Sequence, residues 1–124
     1  GYCDDARTEN TIGKVFSHGH YLMDTHTAVA SAVLRAYQAQ TGDTRQSVIV
    51  STASPYKFGA SVLGAVAGQK ACDGLDDFAC CRALAELTGT REPAQILALP
   101  DLPIRHTAVC EKDKMAQAVL DAVK

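Results

Sequence analysis

The chain has 124 residues, 47% hydrophobic and 21% charged, so it can bury one modest core and is not composed like a disordered segment. A formal net charge of -2, without any Lys/Arg block, excludes the electrostatic footprint of a nucleic-acid or anionic-lipid binder and makes a small molecule the expected partner. No apolar run approaches the roughly 20 residues that span a bilayer and no charged-then-apolar leader opens the chain, so a soluble, cytoplasmic protein is expected.

Residues 4–16 predict a short helix with Thr8 as its cap and Ile12, Val15 and Phe16 on its apolar side. His18, Gly19, His20 and Tyr21 read as a turn. Asp24 or Thr25 then caps a strong helix reaching about Gln40, where Val29, Val33 and Tyr37 with Ala28, Ala32 and Ala36 form a wide stripe of mostly small side chains. Gly42 ends it as a left-handed cap. The β-branched run Val48, Ile49, Val50 has the composition of a parallel strand buried on both faces, and it stops at the hydroxyls of Ser51, Thr52 and Ser54 before Pro55. Further helices are expected over residues 58–67, stopped by Gly68, and over residues 75–87, with Leu75, Phe78, Cys81 and Leu84 at successive threes before Gly89. Pro93 starts a brief helical turn over 94–99. Residues 107–110 predict a second strand, and Asp113 opens a last helix with Met115, Val119 and Ala122 or Val123 facing inward.

Two short strands among about six helical segments cannot make a doubly wound sheet, because parallel strands need neighbours on either side and cover on both faces. Residues 1–124 therefore read as one continuous piece of a larger α/β domain, with the rest of the sheet elsewhere. Gly1 in place of a methionine fits that expectation. Five cysteines, with Cys80 and Cys81 adjacent, do not form a secreted disulfide framework and are expected to be reduced and mostly buried.

Three groups of residues could carry chemistry. Ser51 and Thr52 stand where the 48–50 run ends, the place where open α/β sheets bind ligands, and a hydroxyl there can meet a ring nitrogen without bringing a charge. The commoner use of such hydroxyls is to satisfy loop backbone groups. Asp24, Thr25, His26 and Thr27 lie at a helix start whose N–H groups favour a phosphate or carboxylate, although a cap with a flanking histidine is the plainer alternative. His18 and His20 with Cys72, Cys80 and Cys81 have neither C-x-x-C nor H-x-x-x-H spacing, so no metal is expected. G-x-G-x-x-G, P-loop and G-x-S-x-G patterns do not occur.

Two stretches together resemble threonine synthase: Gly19-His20-Tyr21-Leu22-Met23-Asp24-Thr25-His26-Thr27-Ala28-Val29-Ala30 and Val48-Ile49-Val50-Ser51-Thr52-Ala53-Ser54-Pro55-Tyr56-Lys57-Phe58. The family shows an Asp-x-His-Thr-Ala-Val-Ala helix start followed, at about this separation, by a strand ending Ser-Thr-Ala-x-Pro-x-Lys-Phe. Glu111-Lys112-Asp113-Lys114 before a helix is similar to the end of the family's chains. The resemblance implies a fold-type II pyridoxal-phosphate enzyme, an α/β fold in which the cofactor lies between two domains. This chain would be the helix-rich C-terminal part of the larger domain, with few short parallel strands.

The same resemblance implies conversion of O-phospho-L-homoserine and water to L-threonine and phosphate, with pyridoxal 5'-phosphate as cofactor. Thr52, and less directly Ser51, would meet the cofactor's pyridine nitrogen. His26, Lys57 and Ser54 would line the substrate site. The Schiff-base lysine and the loop that cradles the cofactor phosphate have no counterpart here, so the remainder of the polypeptide is an implied partner and the fragment alone is expected to be inactive. Ser54 stands where the family commonly has histidine, and Tyr56 where it often has a small residue. An inactive paralogue serving as a binding module is the alternative within the family; a small metal- or thiol-binding domain is the alternative outside it.

Overall fold

Asp4, Asp24 and Asp76 each open a helix in the computed structural model, which describes residues 1–123. Each carboxylate accepts from an N–H of the first turn that has no partner inside the helix, at 2.8 Å from Arg7, 2.9 Å from His26 and 2.7 Å from Ala79. The helices so started are α1 (Asp5–Gly19), α2 (Thr25–Thr41) and α4 (Asp77–Thr88), and each ends on a left-handed residue: His20, Gly42 and Gly89. Between α2 and α4, a 3₁₀ turn over Pro55–Phe58 leads directly into α3 (Gly59–Ala67). Two short helices follow, α5 (Ala94–Ala98) and α6 (Met115–Ala122).

The first helix departs from its expected start and end. Thr8 lies inside α1, buried, and its hydroxyl donates to Asp4 O at 2.8 Å, because Asp4 already occupies the capping position. The expected turn at His18 is instead the last helical turn, and the chain leaves it at His20 with φ 51°.

Helix α1 packs on α2 and α3, and α3 packs on α4. Ile12, Val62, Leu63, Cys80 and Leu84 are fully buried or nearly so, with Met23, Ala28 and Tyr56 closing the core. Two glycines set these distances. A Cβ on Gly13 would meet the Ala65 carbonyl oxygen at 2.6 Å, and one on Gly59 would meet Cys81 Sγ at 2.5 Å, so both helix contacts are closer than any side chain allows. Polar ties add to them: Arg7 Nη2 donates to Ala32 O at 3.0 Å, and Cys81 Sγ donates to Tyr56 O at 3.1 Å.

The expected α/β fold is overturned, since the described residues are helical or irregular and contain no strand and no sheet. Residues 48–50 adopt no regular structure, with Val48 85% and Val50 76% exposed. Residues 107–110 are likewise irregular and exposed. The physical reason is that a strand is completed by hydrogen bonds to a neighbour, and among the described residues none lies alongside either run. The last helix forms as expected, but Met115, Val119, Ala122 and Val123 do not face inward, because every described residue of α6 is exposed. All five cysteines are free, and only Cys80 and Cys81 are buried; Cys3 and Cys72 are half-buried and Cys110 is exposed. Among the described residues no helix is long and apolar enough to cross a membrane.

Candidate functional site

The two segments singled out by their chemistry meet at the start of α2. Asp24 is fully buried and is the hub. Besides capping α2, it accepts the Thr27 hydroxyl, and Ser51 Oγ donates to its Oδ2 at 3.4 Å, with Thr27 Oγ1 and Ser51 Oγ 3.0 Å apart. A loop residue 27 positions further along the chain is thereby tied to the helix start. Burial raises the Asp24 pKa, but hydrogen bonds from Thr27 and His26 and the nearby His26 ring outweigh it and hold the carboxyl below its ordinary value. Asp24 therefore stays ionised as the anchor.

The loop is tied again on its far side. Ser54 Oγ accepts from Tyr56 N at 3.3 Å and caps the 3₁₀ turn, and the Tyr56 hydroxyl lies 2.6 Å from Thr90 Oγ1. Ser54 thus caps a turn at the position where the motif has an imidazole. Between these ties, Thr52 is exposed, and its hydroxyl has no hydrogen-bond partner among the described residues. The hydroxyl of Ser51 is engaged with Asp24, so of the two adjacent hydroxyls it is Thr52 that remains free to meet a ligand.

His26 and Lys57 both lie against the ring of Phe58, the last residue of the second motif. The Phe58 ring lies 5.1 Å from the His26 ring, centroid to centroid, and 5.7 Å from Lys57 Nζ. The His26 side chain is 67% exposed, and its Nδ1 is 3.4 Å from Asp24 Oδ1, within ion-pair distance when protonated. Phe58 therefore bridges the helix start and the loop, a role that a lone aromatic after a lysine does not announce in sequence. Thr27 belongs to the helix-start group singled out in the sequence, and the fold adds that its hydroxyl donates to Asp24.

The loop residues and His26 do not share one cavity. Lys57 lines a cleft of about 380 Å³ with Phe58, Gly59, Asp77, Phe78 and Leu99. Ser54 borders a separate hollow beside Tyr21 and Arg91, and Ser51, Thr52 and His26 line neither. Among the described residues no three of His, Cys, Asp and Glu converge as a metal site would require.

Fold and loop together define a helical domain with a free Thr52 hydroxyl on a pinned loop and with the His26 imidazole and the Lys57 ammonium group exposed beside Phe58. The family model for the C-terminal region of threonine synthase matches residues 27–120, and the chain belongs to that family. Ser51, Thr52, Ser54 and Lys57 lie inside the matched span; His26 is the residue just before it. The family is that of a lyase-type enzyme of threonine biosynthesis. A search of curated proteins finds no match.

Proposed function

We propose that this chain forms one wall of the cofactor pocket of a cytoplasmic threonine synthase, which converts O-phospho-L-homoserine and water to L-threonine and phosphate. The carrying observation is the Thr52 hydroxyl, exposed and without a partner among the described residues, on a loop fixed at Ser51 and Ser54. A free neutral hydroxyl fits the ring nitrogen of pyridoxal 5'-phosphate. Bound there, the cofactor supplies an electron sink for removing protons near the amino-bearing carbon, and the protein sets how strong that sink is. Thr52 would hold the nitrogen through a neutral hydroxyl, a partner that brings no charge and would keep the sink milder than a carboxylate would. Ser51 acts as a positioning residue by holding the loop to Asp24. His26 and Lys57, both exposed beside Phe58, receive the anionic groups of phosphohomoserine. The covalent lysine and the cradle for the cofactor phosphate belong to the remainder of the polypeptide.

The test is to combine this chain with the rest of its parent polypeptide and follow the visible absorbance of bound cofactor. Thr52→Val should shift that spectrum and reduce turnover sharply, whereas an unchanged spectrum and turnover would remove Thr52 from the site. A combined protein that binds cofactor normally but forms no threonine would instead favour a binding module.

A further inference from the structure

Away from the Asp24 loop, a concavity of about 360 Å³ opens between the end of α1 and the middle of α2, lined by Lys14, Val15, His18, Gly19 and Arg35. Three of its five lining residues carry basic side chains. Neither ion pair among the described residues includes them, since those pairs join His26 to Asp24 and Arg45 to Asp43. Counter-charge is scarce in the sequence as well. Helix α2 has no Asp or Glu anywhere along its length, and the nearest acidic residue before Lys14 on α1, Glu9, accepts from Gln69 Nε2 at 3.1 Å.

Cations in the last turns of α1 would by themselves only complement the negative end of that helix. That accounts for His18 but not for Lys14, a turn earlier, or for Arg35, which comes from mid-helix on a different element and lines the same hollow. The His18 ring is also oriented: its Nδ1 lies 2.7 Å from Lys14 O, so the proton sits on Nδ1, and Nε2, an acceptor in that tautomer, is left for the P–OH hydroxyl of a partly protonated phosphate. A guanidinium fork, an ammonium and an oriented imidazole around a small apolar floor at Val15 suit a compact tetrahedral anion, for which the fork can donate two parallel hydrogen bonds.

We infer that Lys14, His18 and Arg35 form a second, independent binding site for a phosphate group, carried free or on a small phosphorylated molecule. None of these residues belongs to the loop assigned above to cofactor and substrate, so the two sites stand or fall separately.

The experiment is a titration of the full chain with inorganic phosphate at low chloride, read by calorimetry and by amide and side-chain NMR shifts. Saturable one-to-one binding with shifts confined to Lys14, His18 and Arg35 is expected. Arg35→Gln should weaken it about ten-fold or more, and Arg35→Lys less, since the charge is kept but the fork is lost. O-phosphoserine and pyrophosphate titrated in parallel distinguish the source: tighter binding of either assigns the site to a phosphoryl group on a larger molecule, and equal or weaker binding assigns it to free phosphate. All three exposed side chains can be changed without touching the core, and circular dichroism checks that the variants fold. If the variants do not fold, the shift map on the unaltered chain decides alone. No saturable binding up to about 10 mM, a level corresponding to an affinity of about 2.7 kcal/mol, would overturn the inference. So would shifts centred on Thr52, His26 or Lys57, or binding unchanged in a folded Lys14→Gln/Arg35→Gln double variant.

Discussion

Leu84 on α4 and Leu120 on α6 are both leucines at apolar positions of a capped or turn-initiated helix, yet Leu84 is fully buried and Leu120 is 56% exposed. The contrast holds for whole regions. The segment through α4 closes on itself, α1 on α2 and α3, and α3 on α4, whereas every described residue from 97 to 123 is exposed. Helix α6 is more strongly amphipathic than α4. What separates them is a facing surface: α3 packs on α4, where Leu84 joins the buried core, whereas every described residue of α6 is exposed. Periodicity therefore tells which side of a helix can be buried, and a second element decides whether it is.

The sharpest way to break this comparison is a pair of leucine truncations. Leu84→Ala should cost about 3–4 kcal/mol of unfolding free energy in urea, from lost burial and a residual cavity, while Leu120→Ala stays within about 0.5 kcal/mol. Equal effects would mean that α6 docks where no contact is seen. Asp24→Ala comes next, at about 2 kcal/mol, because it removes a helix cap and strips two hydroxyls of their acceptor. Its folded-state pKa is lowered, so its stabilisation is complete above the ordinary value of 3.8 and is lost as pH falls below that through the folded value. Acid titration of the unaltered chain should show that loss, and Asp24→Asn should abolish this component of it. Gly59→Ala, which would press a methyl group on Cys81 Sγ, should cost about 1–2 kcal/mol in the same assay and widen the contact between α3 and α4. The smallest effect is expected at Thr52. Its exposed, unpartnered hydroxyl predicts a Thr52→Val change within about 0.5 kcal/mol in this chain alone, so any loss in the assembled enzyme reports on the site and not on folding.

Helix ends were the most legible part of the fold. Gly42, Gly68 and Gly89 stop their helices where the sequence says they should, because glycine is suited to the positive φ that each position requires. Asp24 as the cap of α2 was equally readable. Thr8 was misread because a hydroxyl four residues after an Asp can cap a helix or bond back to it, and the choice depends on which residue reaches the first-turn N–H groups. Of the candidate site, the residue types and their order were visible, and the fold adds that Ser51 is bound to Asp24, that Ser54 caps a turn and that Thr52 alone of the three is free.

By itself the sequence determined the helices, the limits of all but α1 to within a residue or two, and the membership in the threonine synthase C-terminal family, because caps, periodicity and motif spacing are local properties of the chain. Only the tertiary structure decided that Val48, Ile49 and Val50 are not a strand, that α6 has no cover and that Lys14, His18 and Arg35 share a hollow. Those outcomes turn on pairings between distant segments: a strand exists only beside another strand, a buried face only beneath another face, and a binding hollow only where two helices bring their side chains together.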